Sequence, residues 1–345
     1  MEAAEVSRPR RRRMAWVAGV AALVVLGLLG AALWLRAQIL GSQRGAPREI
    51  WVPQGASLSE VVNKLAASGV VGNGLLFRAW LALHSPPEVL AGIYQMRTNE
   101  PYSEVLSTLR RGPVVYHLLV PPGFDLAQIL ARIEGFFWIS RSACQQALKS
   151  VSSPYLPSTS SGDPEGVLFP DTYYVWAGEP CSEILNTMAH RFVTEAASAG
   201  ITPSTRLFGL DAYQLITVAS IVEREAKLQV DRPLVAEVIY NRLRRHMDLQ
   251  MDSTVLYGLG RHSGRLDAAD LAKLTPYNTY LVGGLPPTPI AVPSLSSLEA
   301  ALHPARGDLL YFVVVARDGA EAFSATYAGQ ERNIALAERN LGERL

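Results

Sequence analysis

The sequence predicts an α+β protein with an N-terminal transmembrane helix, a small α+β domain and a larger mixed α+β domain. Three observations lead there. Residues 14–35 carry no charge, and at about 1.5 Å per residue a helix of that length spans about 33 Å, enough to cross a bilayer. The 345 residues are 49% hydrophobic and 18% charged, which suits two or three compact domains with real cores. Beyond residue 48, short strand candidates are interspersed with short amphipathic helices.

The first 13 residues form a basic tail, with Arg8, Arg10, Arg11, Arg12 and Arg13 against Glu2 and Glu5. By the positive-inside rule this tail stays in the cytoplasm, and everything after the helix lies on the far side. Trp16 and Trp34 mark its two interfaces. A cleaved signal peptide is the alternative, but the apolar run is long for one and no small-x-small site follows Trp34. Residues 36–48 read as a linker. The net charge of +1 makes no electrostatic case for nucleic acid.

In the small domain, residues 49–52 are a strand stopped by Pro53. Ser57 and Glu60 have capping-box spacing before a helix that ends near Gly69. Helices follow over 74–83 and, with Ser103 as cap, over 104–111. A strand candidate lies at 92–94, and Gly112-Pro113 ends the domain. The larger domain opens with a strand over 114–120, then helices over 126–133 and 142–151. Residues 152–164 are serine- and proline-rich, hence a loop. Helices are expected over 183–197, 211–229 and 231–247, the last capped by Asp231 with Pro233 in its first turn. Residues 297–302 form a short helix. Residues 309–316 and 322–327 pair as a hairpin around Asp318-Gly319, and a helix from Gln330 closes the chain. Cys144 and Cys181 could pair in an exported domain or never meet; spacing does not decide.

The six histidines are scattered, without H-E-x-x-H or any short paired spacing, so no metal is expected. No P-loop, dinucleotide fingerprint or G-x-S-x-G elbow appears. Carboxylates remain. On a helical wheel, Glu223 and Glu225 flank an apolar arc of Leu215, Val218, Ala219, Val222 and Ala226, about 160° apart. They cannot share one small substrate atom. Either could be partly buried with a raised pKa, or each could be an interfacial glutamate paired with Arg224, Lys227 or Arg232. The wheel does not choose.

Several motifs are similar to those of the endolytic murein transglycosylases, the YceG-like family. They are ASIVERE (219–225), NRL (241–243), LQMDSTVLYG (249–258), PYNTY (276–280), GLPPTPI (284–290) and LFPDTY (168–173), in the family's order. The resemblance extends over essentially the whole chain and implies a LysM-like domain at 49–112 and a catalytic domain at 113–345. It implies cleavage of the β-1,4 bond between N-acetylmuramic acid and N-acetylglucosamine in nascent peptidoglycan strands, leaving 1,6-anhydro ends, with no cofactor. It implies a single-pass protein of the cell (inner) membrane, its catalytic domain on the periplasmic side, at work beside the peptidoglycan synthases and terminating glycan elongation. It assigns catalysis to Glu223, so that Glu223→Gln is expected to abolish product release, with Glu225 as a support.

For the cleft, Gln250, Asp252, Ser253, Thr254 and Asn278 are expected to hold hydroxyls and acetamides, and Phe169, Tyr277 and Tyr280 to stack on sugar faces. Glu321, Gly329 and Gln330 depart from the histidine-containing pattern usual near the family's C-terminus. The competing reading is a catalytically weak peptidoglycan-binding membrane anchor.

Overall fold

The computed structural model describes residues 8–41, 45–157 and 163–342. The start of the basic tail, part of the linker and the middle of the serine-rich loop lie outside the described residues, as do the arginine side chains of the tail. The chain forms two compact units, Met1–Tyr116 with Trp176–Glu179, and His117–Val175 with Pro180–Leu345.

The first unit begins with α1 (Arg8–Leu40). Its apolar stretch, Trp16–Leu40, is 25 residues long and is not buried by the protein, so it is long and apolar enough to cross a membrane. The helix runs five residues into the expected linker because Arg36-Ala-Gln-Ile-Leu contains no breaker and a single charge does not stop a helix. Strands β1 (Pro47–Val52) and β2 (Gly92–Arg97) pair antiparallel, from Pro47↔Arg97 to Val52↔Gly92. Every second residue of β2 is buried, Tyr94 and Met96 among them, as expected of a strand with one face on a core.

Between the two strands lie α2 (Leu58–Ala67) and α3 (Gly74–Ala82). The Ser57–Glu60 capping box is present, and Asn73 caps α3 by accepting from Leu76 N–H. Helix α4 (Tyr102–Arg111) follows Pro101 and has no side-chain cap. Ser103, the expected cap, is already inside the first turn. Tyr102 is fully buried, and seating its ring against Phe77 brings the helix start forward.

In the second unit, β3 (Val115–Leu119) pairs with β4 (Thr172–Trp176). Helices α5 (Leu126–Ile133), α6 (Arg141–Leu148) and α7 (Cys181–Ser198) pack on a shared core. Cys144 of α6 is disulfide-bonded to Cys181 of α7. The two-residue strands β5 (Arg206–Leu207) and β6 (Leu210–Asp211) lead into α8 (Ala212–Glu225). Asp211 and Gln214 cap α8 reciprocally.

Helix α8 is the centre of the unit. All residues from Leu215 to Val222 are buried, the pattern of a helix surrounded on every side. It packs on α9 (Arg232–Arg244), α10 (Asp252–Gly258) and α12 (Leu295–Leu302). The short α11 (Ala268–Ala272) lies between the latter two in sequence. Helix α8 ends at Glu225, not at Gln229, because Ala226 is extended and starts the connector to α9. Asp231 sits at the cap position of α9 but makes no cap bond. Its Oδ2 instead accepts from Glu321 N–H at 3.3 Å, a tertiary partner that sequence spacing does not reveal. Strands β7 (Tyr311–Val314) and β8 (Glu321–Ser324) form the expected hairpin, turning at Gly319 with φ 98°. Helix α13 (Tyr327–Leu341) closes the described chain, beginning three residues before the expected Gln330.

Candidate active site

The two glutamates at the end of α8 have opposite surroundings. Glu223 is locked. Its Oε1 accepts from Arg232 Nη2 at 3.1 Å, and its Oε2 accepts from Ser294 N–H at 2.9 Å, Ser294 Oγ and Ser297 Oγ at 2.8 Å. The side chain is 6% exposed and its arginine partner 9%. Ser294 is the residue before α12, and its hydroxyl makes no capping bond to that helix. The Glu223 carboxylate takes over the role of an N-terminal cap, where an anion meets unpaired N–H groups and the positive end of the helix dipole. A carboxylate has about four acceptor sites, and four donors meet this one, three on Oε2 and one on Oε1.

Glu225 opens onto a cleft of about 640 Å3 shared with Gln250, Asp252, Tyr280, Glu321 and Gln330. Its Oε1 accepts from Ser253 N–H at the start of α10, at 3.2 Å. Burial pushes its carboxyl above the ordinary value. Hydrogen bonding to Ser253 pulls part of the way back, Asp252 adds to the rise and Arg224 opposes it. A raised pKa keeps a carboxylic acid protonated closer to neutral pH, as a general acid requires. Glu223 was expected to face substrate; of the two carboxylates it is Glu225 that lines the cleft, while Glu223 is held by Arg232, Ser294 and Ser297.

The other expected cleft residues divide in the same way. Gln250, Asp252 and Tyr280 line the cleft with Glu225. Tyr280 donates to Asp252 Oδ1 at 2.6 Å, and burial, then that bond, pushes its phenol above its ordinary pKa. Gln250 has φ 51°, a left-handed conformation uncommon for a side chain of this kind. It is held there by Thr279 O, which accepts from its N–H at 3.0 Å, and by Arg242 Nη1, which donates to its Oε1 at 3.3 Å. Arg242 also donates to Leu310 O at 2.7 Å and Leu249 O at 2.8 Å, tying the loop before β7 to the cleft wall.

Four of the expected cleft residues make their contacts within the protein. Asn278 is fully buried and donates to Leu271 O and Lys273 O, both at 2.9 Å, while its Oδ1 accepts from Tyr280 N–H. Thr254 is fully buried against Met251 O and Thr279. Tyr277 bonds Thr288 at 2.9 Å and packs edge-on against Tyr257. Phe169 is 8% exposed, in the core, and its carbonyl accepts from Tyr173. Ser253 is between the classes, since its side chain is buried while its N–H holds Glu225.

The family model for YceG-like proteins matches residues 50–336. The chain belongs to the YceG-like family. Among its relatives, the endolytic murein transglycosylase of Bacillus subtilis is 31% identical, over 76% of this chain and 77% of the relative. That of Streptococcus pneumoniae is 27% identical over 83% of this chain. The YceG-like chain spans only 57% of that pneumococcal relative. A crystal structure of a YceG-like protein from Listeria monocytogenes superposes with a TM-score of 0.56 at 27% identity, covering 84% of this chain and 99% of that one. The fold of the YceG-like chain is thus mixed α+β with one N-terminal apolar helix.

Glu321 and Gln330, at two of the positions that depart from the family pattern, both line the cleft. The sequence alone assigns this segment no role. The signal that could have found it is the hairpin, which returns Glu321 to the level of Val314.

Proposed function

We propose that this protein is a membrane-anchored lytic transglycosylase acting on peptidoglycan strands, with Glu225 as its catalytic acid and base. The observation that carries this reading is the raised carboxyl of Glu225 at the wall of a cleft, on a helix whose other glutamate is held by four donors. The relatives' activity supports the reaction class.

One such carboxyl suffices. Glu225 donates its proton to the glycosidic oxygen as the bond from C1 of N-acetylmuramic acid to that oxygen breaks. The ionised Glu225 then takes the proton of the muramic acid 6-hydroxyl as that oxygen bonds to C1. A 1,6-anhydro end forms, no water is consumed and Glu225 regains its proton. The nucleophile belongs to the substrate, which supplies effective molarity, so no second carboxylate at a glycosidase spacing is needed.

Membrane anchoring is supported by the exposed apolar stretch of α1, Trp16–Leu40, and an extracytoplasmic catalytic region by the arginines that precede that stretch in the sequence. The order β1–α2–α3–β2, with β1 and β2 antiparallel, supports residues 49–112 as a LysM-like module that holds glycan. Residues 113–345 are then the catalytic domain. Work beside peptidoglycan synthases, terminating elongation, follows from the same reaction in nascent strands.

The test is incubation of the full chain in detergent micelles with purified glycan strands, followed by mass spectrometry of the ends. Anhydro ends released by the native protein and lost in Glu225→Gln support the proposal. Free reducing ends mean a hydrolase. A native protein that binds strands and releases nothing is the anchor of the competing reading.

A further inference from the structure

Two polar side chains in the cleft have no task in that reaction. Glu321, on β8, and Gln330, on α13, line the same cleft as Glu225. Both carboxyl oxygens of Glu321 and the Oε1 of Gln330 are buried and lack a hydrogen-bond partner among the described residues. Gln330 Nε2 donates to Phe312 O at 2.9 Å, so the amide is oriented and its oxygen is the unused end. Buried polar atoms without partners are costly, and a ligand with matching groups removes that cost. Beside them Phe312, Val313 and Ile334 give the cleft an apolar wall.

We propose that Glu321 and Gln330 form an acetamide-binding subsite that recognises the N-acetyl group at the 2-position of a sugar in the cleft, an inference that rests on the glycan-cleaving function above. An acetamide offers one carbonyl acceptor, one N–H donor and a methyl group. The neutral carboxyl of Glu321 donates to the carbonyl, Gln330 Oε1 accepts from the N–H, and the methyl lies against the apolar wall. A sugar hydroxyl brings no methyl and leaves that wall uncovered.

Glu321 is suited to donate because burial pushes its carboxyl up to about 8, with the negative charges of Glu225 and Asp231 adding to the rise. Glu225 reaches it from α8, and Asp231 from the start of α9. Of the other charged groups around the cleft, Arg242 of α9 is committed to main-chain carbonyls. Asp252 of α10 is held by Tyr280, and Arg265 comes from the loop before α11. The lining residues from β7 and α13 do not titrate. Below about pH 8 Glu321 is neutral and donates. Above it the proton is lost, and the carboxylate repels the acetamide carbonyl.

The full chain in detergent micelles is titrated calorimetrically with chitin oligosaccharides and with cellulose oligosaccharides of the same length. These share the β-1,4 backbone and differ at the 2-position acetamide. The native protein is expected to prefer chitin by about tenfold at pH 6, the worth of one or two buried hydrogen bonds, and to lose that preference at pH 9. Glu321→Gln, a permanently neutral isostere, keeps the preference at both pH values, and Glu321→Ala loses it at both. If Glu321→Ala disturbs the hairpin, Gln330→Leu is read in its place and also loses the preference. Equal binding of the two sugars by the native protein at pH 6, or a preference in Glu321→Gln that still disappears at pH 9, overturns the subsite and leaves the glycan-cleaving function standing. Binding of neither sugar overturns both.

Discussion

Glu223 and Glu225 are one residue apart, yet one holds the fold together and the other faces an open cleft. The difference lies in what meets each carboxylate. Four donors from α9 and the start of α12 converge on Glu223. One main-chain N–H from α10 meets Glu225, while burial and Asp252 raise its pKa. A carboxylate held by four donors from its own protein has little left to offer a substrate. A carboxyl poor in donors and partly desolvated retains its proton and can deliver it.

The strongest test of this contrast is activity. Glu225→Gln is expected to lower anhydro-product release by about 10²- to 10⁴-fold, the usual worth of a general acid and base, with an unchanged melting temperature. Full activity in that variant breaks the contrast. Glu223→Ala is expected to act on stability, costing about 3–5 kcal/mol because Arg232 is left buried and unpaired. Urea unfolding measures this, and a stable but inactive Glu223→Ala protein would return the catalytic role to Glu223.

A third carboxyl sharpens the comparison. Glu165 accepts from Leu126 N–H and from Tyr257 Oη, both at 3.0 Å. Burial nonetheless dominates and pushes it from 4.5 up to about 8. The folded state therefore holds a proton that the unfolded state has released between those values. Glu165's contribution to stability is fully present below about pH 4.5 and declines as pH rises to about 8, by on the order of a few kcal/mol. Glu165→Gln should flatten that decline in thermal melts across the pH range, and an unchanged slope would show that Glu165 is ionised in the fold. The smallest effect is expected at the opposite end of α8, where Asp211→Ala removes the capping box and costs about 1 kcal/mol. A drop in activity larger than this loss of stability would mean that the whole helix, and not its last turn, positions Glu225.

Most elements were legible because they depend on local chemistry. The Ser57–Glu60 box, the apolar residues 14–35 and the Asp318-Gly319 turn each act within a few residues, and each appears where the sequence places it. The missed elements depend on distant partners. Asp231 was expected to cap its own helix and serves Glu321 instead, 90 residues on. Asn278 and Thr254 have the chemistry of sugar ligands, but main-chain groups and, for Thr254, the Thr279 hydroxyl meet it inside the protein. Polar composition marks a residue as able to bind something, without saying whether that partner is substrate or protein.

By itself the sequence determined the class of the fold, the apolar N-terminal helix and the stretch on which catalysis had to be sought, because periodicity, capping and charge are properties of neighbours along the chain. It also placed the two glutamates of that helix on different faces. Only the tertiary structure decided which of them faces the cleft. The choice is made by Arg232, Ser294 and Ser297 closing around Glu223 and by the cleft left open beside Glu225. Donors that converge from separate helices are a matter of packing, which no helical wheel contains.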